Sequence, residues 1–128
     1  MYQELERNIP GHPKWKGSFY ERLVEYREWD VDSFWSLHLE LLQIAKNNKE
    51  SDMVDRNLAY KLLTIQQKVL NLVTSHFVKN DIFKIRNLST DQIYDFKERF
   101  EMAIISAVTG SVVPESSFKL TNPLVKNA

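Results

Sequence analysis

The chain has no cysteine. That absence removes a disulfide framework, thiolate metal sites and cysteine nucleophiles at once, and it leaves the redox compartment open. Glycine is scarce at 3 residues and proline at 4 in a chain of 128, too few for a collagen-like or linker-rich polymer. Gly11, Gly17 and Gly110 form no phosphate-cradling motif, which needs clustered glycines so that backbone N–H groups can approach an anion. No apolar run nears the ~20 residues that cross a bilayer. The opening residues, Met1-Tyr-Gln-Glu-Leu-Glu-Arg-Asn8, carry no basic stretch followed by an apolar core, so no secretory leader is expected and the expected location is the cytoplasm. An excess of charge is missing too, with 17 basic and 17 acidic residues. Nucleic-acid binders as a class carry a basic surplus to neutralise phosphates.

What remains is ordinary globular material, 43% hydrophobic and 27% charged, in a chain long enough to bury a core without a metal or a crosslink. The charges are segregated. Residues 21–55 hold nine acids against four bases, and residues 56–86 hold six bases against one acid. Segments this lopsided either pair internally or give a folded protein opposed surface potentials.

Helical periodicity predicts an all-α fold, a small bundle of about four main helices. Residues 1–17 read as an irregular arm, because Ile9-Pro-Gly-His-Pro-Lys-Trp-Lys-Gly17 punctuates the chain with two prolines and two glycines. Trp15 is expected to pack that arm onto the core. Ser18 and Glu21 have capping-box spacing, and Phe19, Leu23 and Tyr26 follow on one face. Trp29-Asp-Val-Asp32 breaks the run and supplies an N-cap at Asp30 or Asp32. A second helix over 32–47 carries Phe34, Leu37, Leu41, Leu42 and Ala45.

Ser51-Asp52 is expected to open the third and longest helix. There Val54, Leu58, Leu62, Ile65, Val69, Leu72 and His76 recur at steps of three and four, while Leu63, Leu70 and Phe77 widen the stripe. Such a helix is expected to be central and contacted on more than one side; a two-chain coiled coil is the rival reading. Residues 80–86 fit an extended piece or a fraying helix end. Ser89 and Gln92 restart the helix, Ile93, Phe96, Phe100, Ile104 and Ala107 carry it, and Gly110 ends it. Residues 18–109 thus form the helical body of a single domain, and 110–128 an irregular tail pinned by Phe118 and Leu120.

Chemistry has few footholds. His12, His38 and His76 lie in the arm and on two different helices, without the spacing of a helical zinc or di-iron site. His76 continues an apolar stripe and is expected to be a hydrogen-bonded core or boundary residue rather than a ligand. No serine sits in a nucleophile-elbow motif. No cofactor, metal or catalytic residue is therefore expected. Glu21, Glu25 and Glu28 share one face of the first main helix, and Asp91, Asp95 and Glu98 repeat that spacing on the last. Like charges so placed destabilise a helix by roughly 0.2–0.5 kcal/mol per pair, with Arg22 and Arg99 positioned to offset them. The candidate binding surface is the acidic group Glu21, Glu25, Glu28, Asp30, Asp32 and Glu40, with Tyr20 and Trp35 as exposed aromatic anchors. The basic residues Arg56, Lys61, Lys68, Lys79, Lys84 and Arg86 are expected to form the wet side of the third helix.

The stretch from Ser18 to Ala45, with Phe19-Tyr-Glu21, a charged aromatic turn, then Phe34-Trp-Ser-Leu37 and Ile44-Ala45, resembles small helical immunity proteins of bacterial contact-dependent inhibition and polymorphic toxin systems. The resemblance covers under a quarter of the chain and carries no fixed binding motif. It implies a cytoplasmic, non-enzymatic antitoxin that neutralises one cognate toxin by covering its active site, an RNase or other nuclease with a basic surface being the expected partner. Neither membrane nor direct nucleic-acid contact is expected. The rival readings are a nucleic-acid-binding regulator using residues 56–86, and a helical ligand-binding protein or enzyme built around His38 or His76.

Overall fold

Four main helices begin at a side chain that caps them. Ser18, Asp30, Asp55 and Ser89 each turn an oxygen onto the backbone N–H three residues on, at Glu21, Ser33, Leu58 and Gln92, satisfying one of the donors a helix start leaves free. A computed structural model describes residues 2–126. It places α1 at Gln3–Glu6, α2 at Phe19–Tyr26, α3 at Val31–Asn47, α4 at Arg56–Phe77 and α5 at Thr90–Thr109, with a 3₁₀ turn at Glu115–Ser117. Among the described residues all regular structure is helical, as the periodicity predicts.

The three longest helices form the centre. α3 makes its largest contact with α5, while α4 lies against α5, α2 and α1. Trp29, in the turn between α2 and α3, is fully buried among the rings of Phe19, Phe34 and Phe96 at centroid distances of 4.7, 5.2 and 5.5 Å. Asn87 holds that turn from the far side of the sequence: its side chain accepts the Trp29 N–H at 2.9 Å and donates to the Trp29 carbonyl at 2.8 Å. Residues 80–88 are thus neither helix nor strand but a connection fastened to the core. Ile85 is buried there, and its N–H donates to His76 Nδ1 at 2.9 Å; of the core and boundary positions expected for that histidine, it takes the boundary one. Lys84 Nζ donates to the carbonyls of His76 and Val78, each at 2.8 Å, closing the end of α4.

Three expectations need correction. The arm is not wholly irregular: α1 interrupts it and buries Leu5 completely against α3 and α4. The third main helix starts at Arg56, because Ser51 spends its hydroxyl on Met53, donating to the carbonyl and accepting the N–H, and Asp55 becomes the cap. Tyr26 is 56% exposed; α2 instead buries Phe19, Tyr20 and Leu23, a face rotated towards the arm. Gly110 does end α5, at φ 78°, and a Cβ there would lie 2.9 Å from the Asn48 carbonyl oxygen. Glycine is needed for conformation and for space alike.

The tail is tied down by buried polar contacts as well as by Phe118 and Leu120. Arg99, 2% exposed, pairs with Glu115 and lays its guanidinium over the Phe118 ring, 3.7 Å from the centroid. Glu115 Oε1 accepts the Asn122 N–H at 2.7 Å, and Asn122 Nδ2 reaches the Trp35 carbonyl at 3.1 Å and His38 Nδ1 at 2.9 Å.

Candidate functional site

The acidic surface expected on α2 and α3 is largely spent inside the molecule. Glu21 is buried and turns back to accept the Gly17 N–H at 3.0 Å. That extends the expected capping box by one residue. Asp30 caps α3, and Glu28 pairs with Arg22 at 3.7 Å. Tyr20 is 8% and Trp35 3% exposed, so neither offers an anchor. Trp15 closes edge-on over Tyr20 at 5.7 Å, and Trp35 sits between Phe34, His38 and Phe96. Helical spacing within α2 or α3 could not show this, because the covering groups come from the arm, from α5 and from the tail. Glu25 and Asp32 remain exposed. The α2 surface is also not purely acidic, since a cleft of about 370 Å³ brings Lys16, Arg22 and Arg86 beside Glu21 and Glu28. Arg99 does not offset Asp95, being committed to Glu115.

The most deeply buried group of ionisable side chains among the described residues is His38, Arg99 and Glu115. Chemistry needs room for a reactant beside such a group. The cavity they line is about 10 Å³, the space of a single water. Burial pushes the His38 pKa down to about 4, with Arg99 adding to the effect and Glu115 opposing it. The cluster fastens the tail to α3 and α5 and leaves room beside it for little more than one water. Among the described residues no three His, Asp or Glu side chains stand together as a set that could hold a metal ion.

Open concave surface lies instead along the outer side of α3. Two hollows of about 600 and 360 Å³ share Leu39, Gln43 and Leu124 and form a trough between α1 and the tail. Leu39, Leu124, Val112 and Val113 supply an exposed apolar floor. Glu4 and Glu40 stand at one end. Glu40 Oε2 accepts the Leu5 N–H, which fastens α1 to α3. Its pKa is raised above the ordinary carboxylate range by burial first and by the nearby charges of Glu4 and Glu6. Glu40 is the one residue of the expected acidic group that reaches an apolar hollow. No signal in the sequence places Leu124 with it, because 84 residues separate the two.

Of the expected basic face, Lys61 pairs with Glu6 at 3.2 Å and Lys84 with backbone carbonyls; Arg56, Lys68, Lys79 and Arg86 are exposed. A second open surface follows α4 and α5, where Tyr60, Leu63, Phe77, Tyr94, Ile105 and Val108 are all exposed. No helix is long and apolar enough to cross a membrane among the described residues. Set beside protein-family models, curated proteins and solved structures, the chain matches none.

Proposed function

We propose that the chain is a non-enzymatic protein-binding module, an immunity protein that neutralises a cognate bacterial toxin in the cytoplasm by covering its active site. The observation that carries this reading is the α3 trough, an apolar floor ending at a half-buried carboxylate. Nucleases are basic where they bind phosphate, and an RNase-type toxin would set a lysine or arginine against Glu40 and Glu4 while an apolar neighbour occupies the Leu39–Leu124 hollow. A carboxylate already crowded by burial and like charge gains more from a cation than an exposed one does. Glu25 and Asp32, outside the trough, add long-range steering.

The test is co-expression with the toxin encoded beside its own gene. A stoichiometric complex that restores growth is expected, and Leu39→Glu with Leu124→Glu should weaken it at least tenfold. Failure to bind that toxin, or binding indifferent to both substitutions, would count against the reading. Glu40→Gln separates binding from folding. A carboxyl whose folded pKa is raised costs stability while ionised, and that cost disappears as it is protonated. Glutamine copies the protonated form and keeps an acceptor for the Leu5 N–H. The variant should therefore have a higher thermal midpoint at pH 7 and an affinity for the toxin lower by about tenfold, roughly 1.4 kcal/mol.

A further inference from the structure

We infer that the cleft bounded by the arm, α2 and the 80–88 connection is a binding site for a small phosphate-bearing ligand with a planar ring, a mononucleotide. Its cations come from three separate segments. Lys16 from the arm, Arg22 from α2 and Arg86 from the connection all line one hollow of about 370 Å³, at the small end of ligand clefts, which run from about 300 to 1,000 Å³. Sequence spacing puts Arg86 with the basic residues of the third main helix; the fold carries it to α2 instead.

Two local devices bring the cations together. Gly17, at φ 83°, turns the arm so that its N–H donates to Glu21 at 3.0 Å, which leaves Lys16 at the head of α2. At the other end of α2, Arg27 takes φ 56° and is the one non-glycine residue with positive φ among the described residues. An L-residue adopts that conformation at a cost, and such strain collects at functional sites. The reversal returns the Glu28 N–H to the Arg22 carbonyl at 3.3 Å, and the Arg27 carbonyl accepts the Arg86 N–H at 2.9 Å. With Asn87 bonded to the Trp29 backbone one residue on, Arg86 is fixed beside the end of α2.

The gathered cations are short of anions. Among the described residues no acidic side chain lies within ion-pairing distance of Lys16 or Arg86. Arg22 meets Glu28 only at 3.7 Å, with the two side chains 44% and 34% exposed, which is too long for a hydrogen bond. Buried Glu21 already serves the Gly17 N–H. Two guanidiniums and an ammonium are the donors that grip phosphate oxygens. Tyr26 supplies the other half of the recognition. It follows Arg22 by one helical turn on the same face, and lines the cleft at 56% exposure, so its ring is open for a base to stack on. A single nucleotide suits the cleft better than a strand does. Further phosphates would run past exposed Glu25 and past Glu28, and the chain as a whole has no positive surplus to hold them. None of the α3 trough's residues takes part, so the inference stands apart from the proposed function.

Titration of the full chain with inorganic phosphate and with adenosine monophosphate, followed by calorimetry and by amide chemical shifts, tests the site. The nucleotide should bind with a dissociation constant below about 1 mM, about tenfold tighter than phosphate. It should shift the amides of Gly17, Arg27 and Glu28 and bind more weakly as salt rises. Arg22→Gln with Arg86→Gln should remove binding of both ligands while the thermal midpoint holds, because both side chains are exposed and a surface pair adds little to stability. Tyr26→Ala should weaken the nucleotide about tenfold and leave phosphate unchanged. Absence of nucleotide binding up to the millimolar range overturns the inference, as does binding indifferent to the paired arginine substitutions. Equal affinity for phosphate and nucleotide, unmoved by Tyr26→Ala, would show an anion site without ring recognition and sink it too. So would an oligonucleotide held far more tightly than the mononucleotide.

Discussion

Replacing Glu115 by alanine is expected to cost about 3–5 kcal/mol, because it strands a buried guanidinium. Arg99 and Glu115 have side chains 3% and 13% exposed and pair with each other, so among the described residues Glu115 is the anion in contact with that buried charge. Its other oxygen accepts the Asn122 N–H, and the same substitution therefore loosens the turn that delivers Asn122 to His38 and Trp35. A loss of that size is a large part of the ~5–15 kcal/mol that holds a domain together, and would lower the thermal midpoint by roughly 10–20 °C. Urea titration should report the loss. Limited proteolysis should cut within 110–126 before the helices open. Arg99→Met combined with Glu115→Leu should cost less than Glu115→Ala alone, since the double change removes the charge along with its partner. A Glu115→Ala loss below about 1 kcal/mol, far short of what stranding a buried charge costs, would mean that the pair does not anchor the tail.

This arrangement marks where the sequence stops being legible. Ser18, Asp30, Ser89 and Gly110 act within three or four residues of themselves, and their roles can be read from spacing. The apolar stripes of α3 and α5 are legible for the same reason: a helix repeats its inward face at a fixed period. The start of α4 is ambiguous in the sequence although every residue involved is local. Ser51, Asp52 and Asp55 are all good N-caps, and only the hydroxyl's use by Met53 decides among them. Long-range partners are a different matter. Asn122 meets His38 and Trp35 across 84 and 87 residues, and Glu40 meets Leu5 across 35. A wheel drawn for α2 alone counts Tyr20 as outward, because it cannot include Asn8 and Trp15 from the arm. The acids of α2 and α3 were visible as charges. Whether each faces water or a backbone N–H depends on which distant segment crosses over it. The trough follows from the same kind of crossing: it exists where α1 and the tail leave α3 incompletely covered.

The second large effect is on acid stability, and it turns on His38. Asn122 Oδ1 accepts the Leu124 N–H at 2.8 Å, which fixes the amide so that Nδ2 points to the Trp35 carbonyl and to His38 Nδ1. A donor facing Nδ1 makes that nitrogen the acceptor, so the imidazole is neutral with its proton on Nε2. Protonation would set two donors against each other in a site 1% exposed and already next to Arg99. The folded pKa is accordingly lowered from 6.5 to about 4, by burial first and by Arg99 second. Between those values the unfolded chain binds a proton that the folded chain refuses, so stability rises with pH. The contribution is whole above pH 6.5, fades as pH falls towards 4, and amounts to about 3 kcal/mol over that window. Glu40, with its raised pKa, acts in the opposite sense as carboxylates protonate and offsets part of the loss. Urea titrations at half-unit steps from pH 7.5 to 4 should show the decline. His38→Asn, which keeps an acceptor near the position of Nδ1 but does not titrate, should be less stable at pH 7 because it opens a cavity, yet nearly flat across the same range. A wild-type profile as flat as the variant's would show that His38 takes up its proton without disturbing the tail.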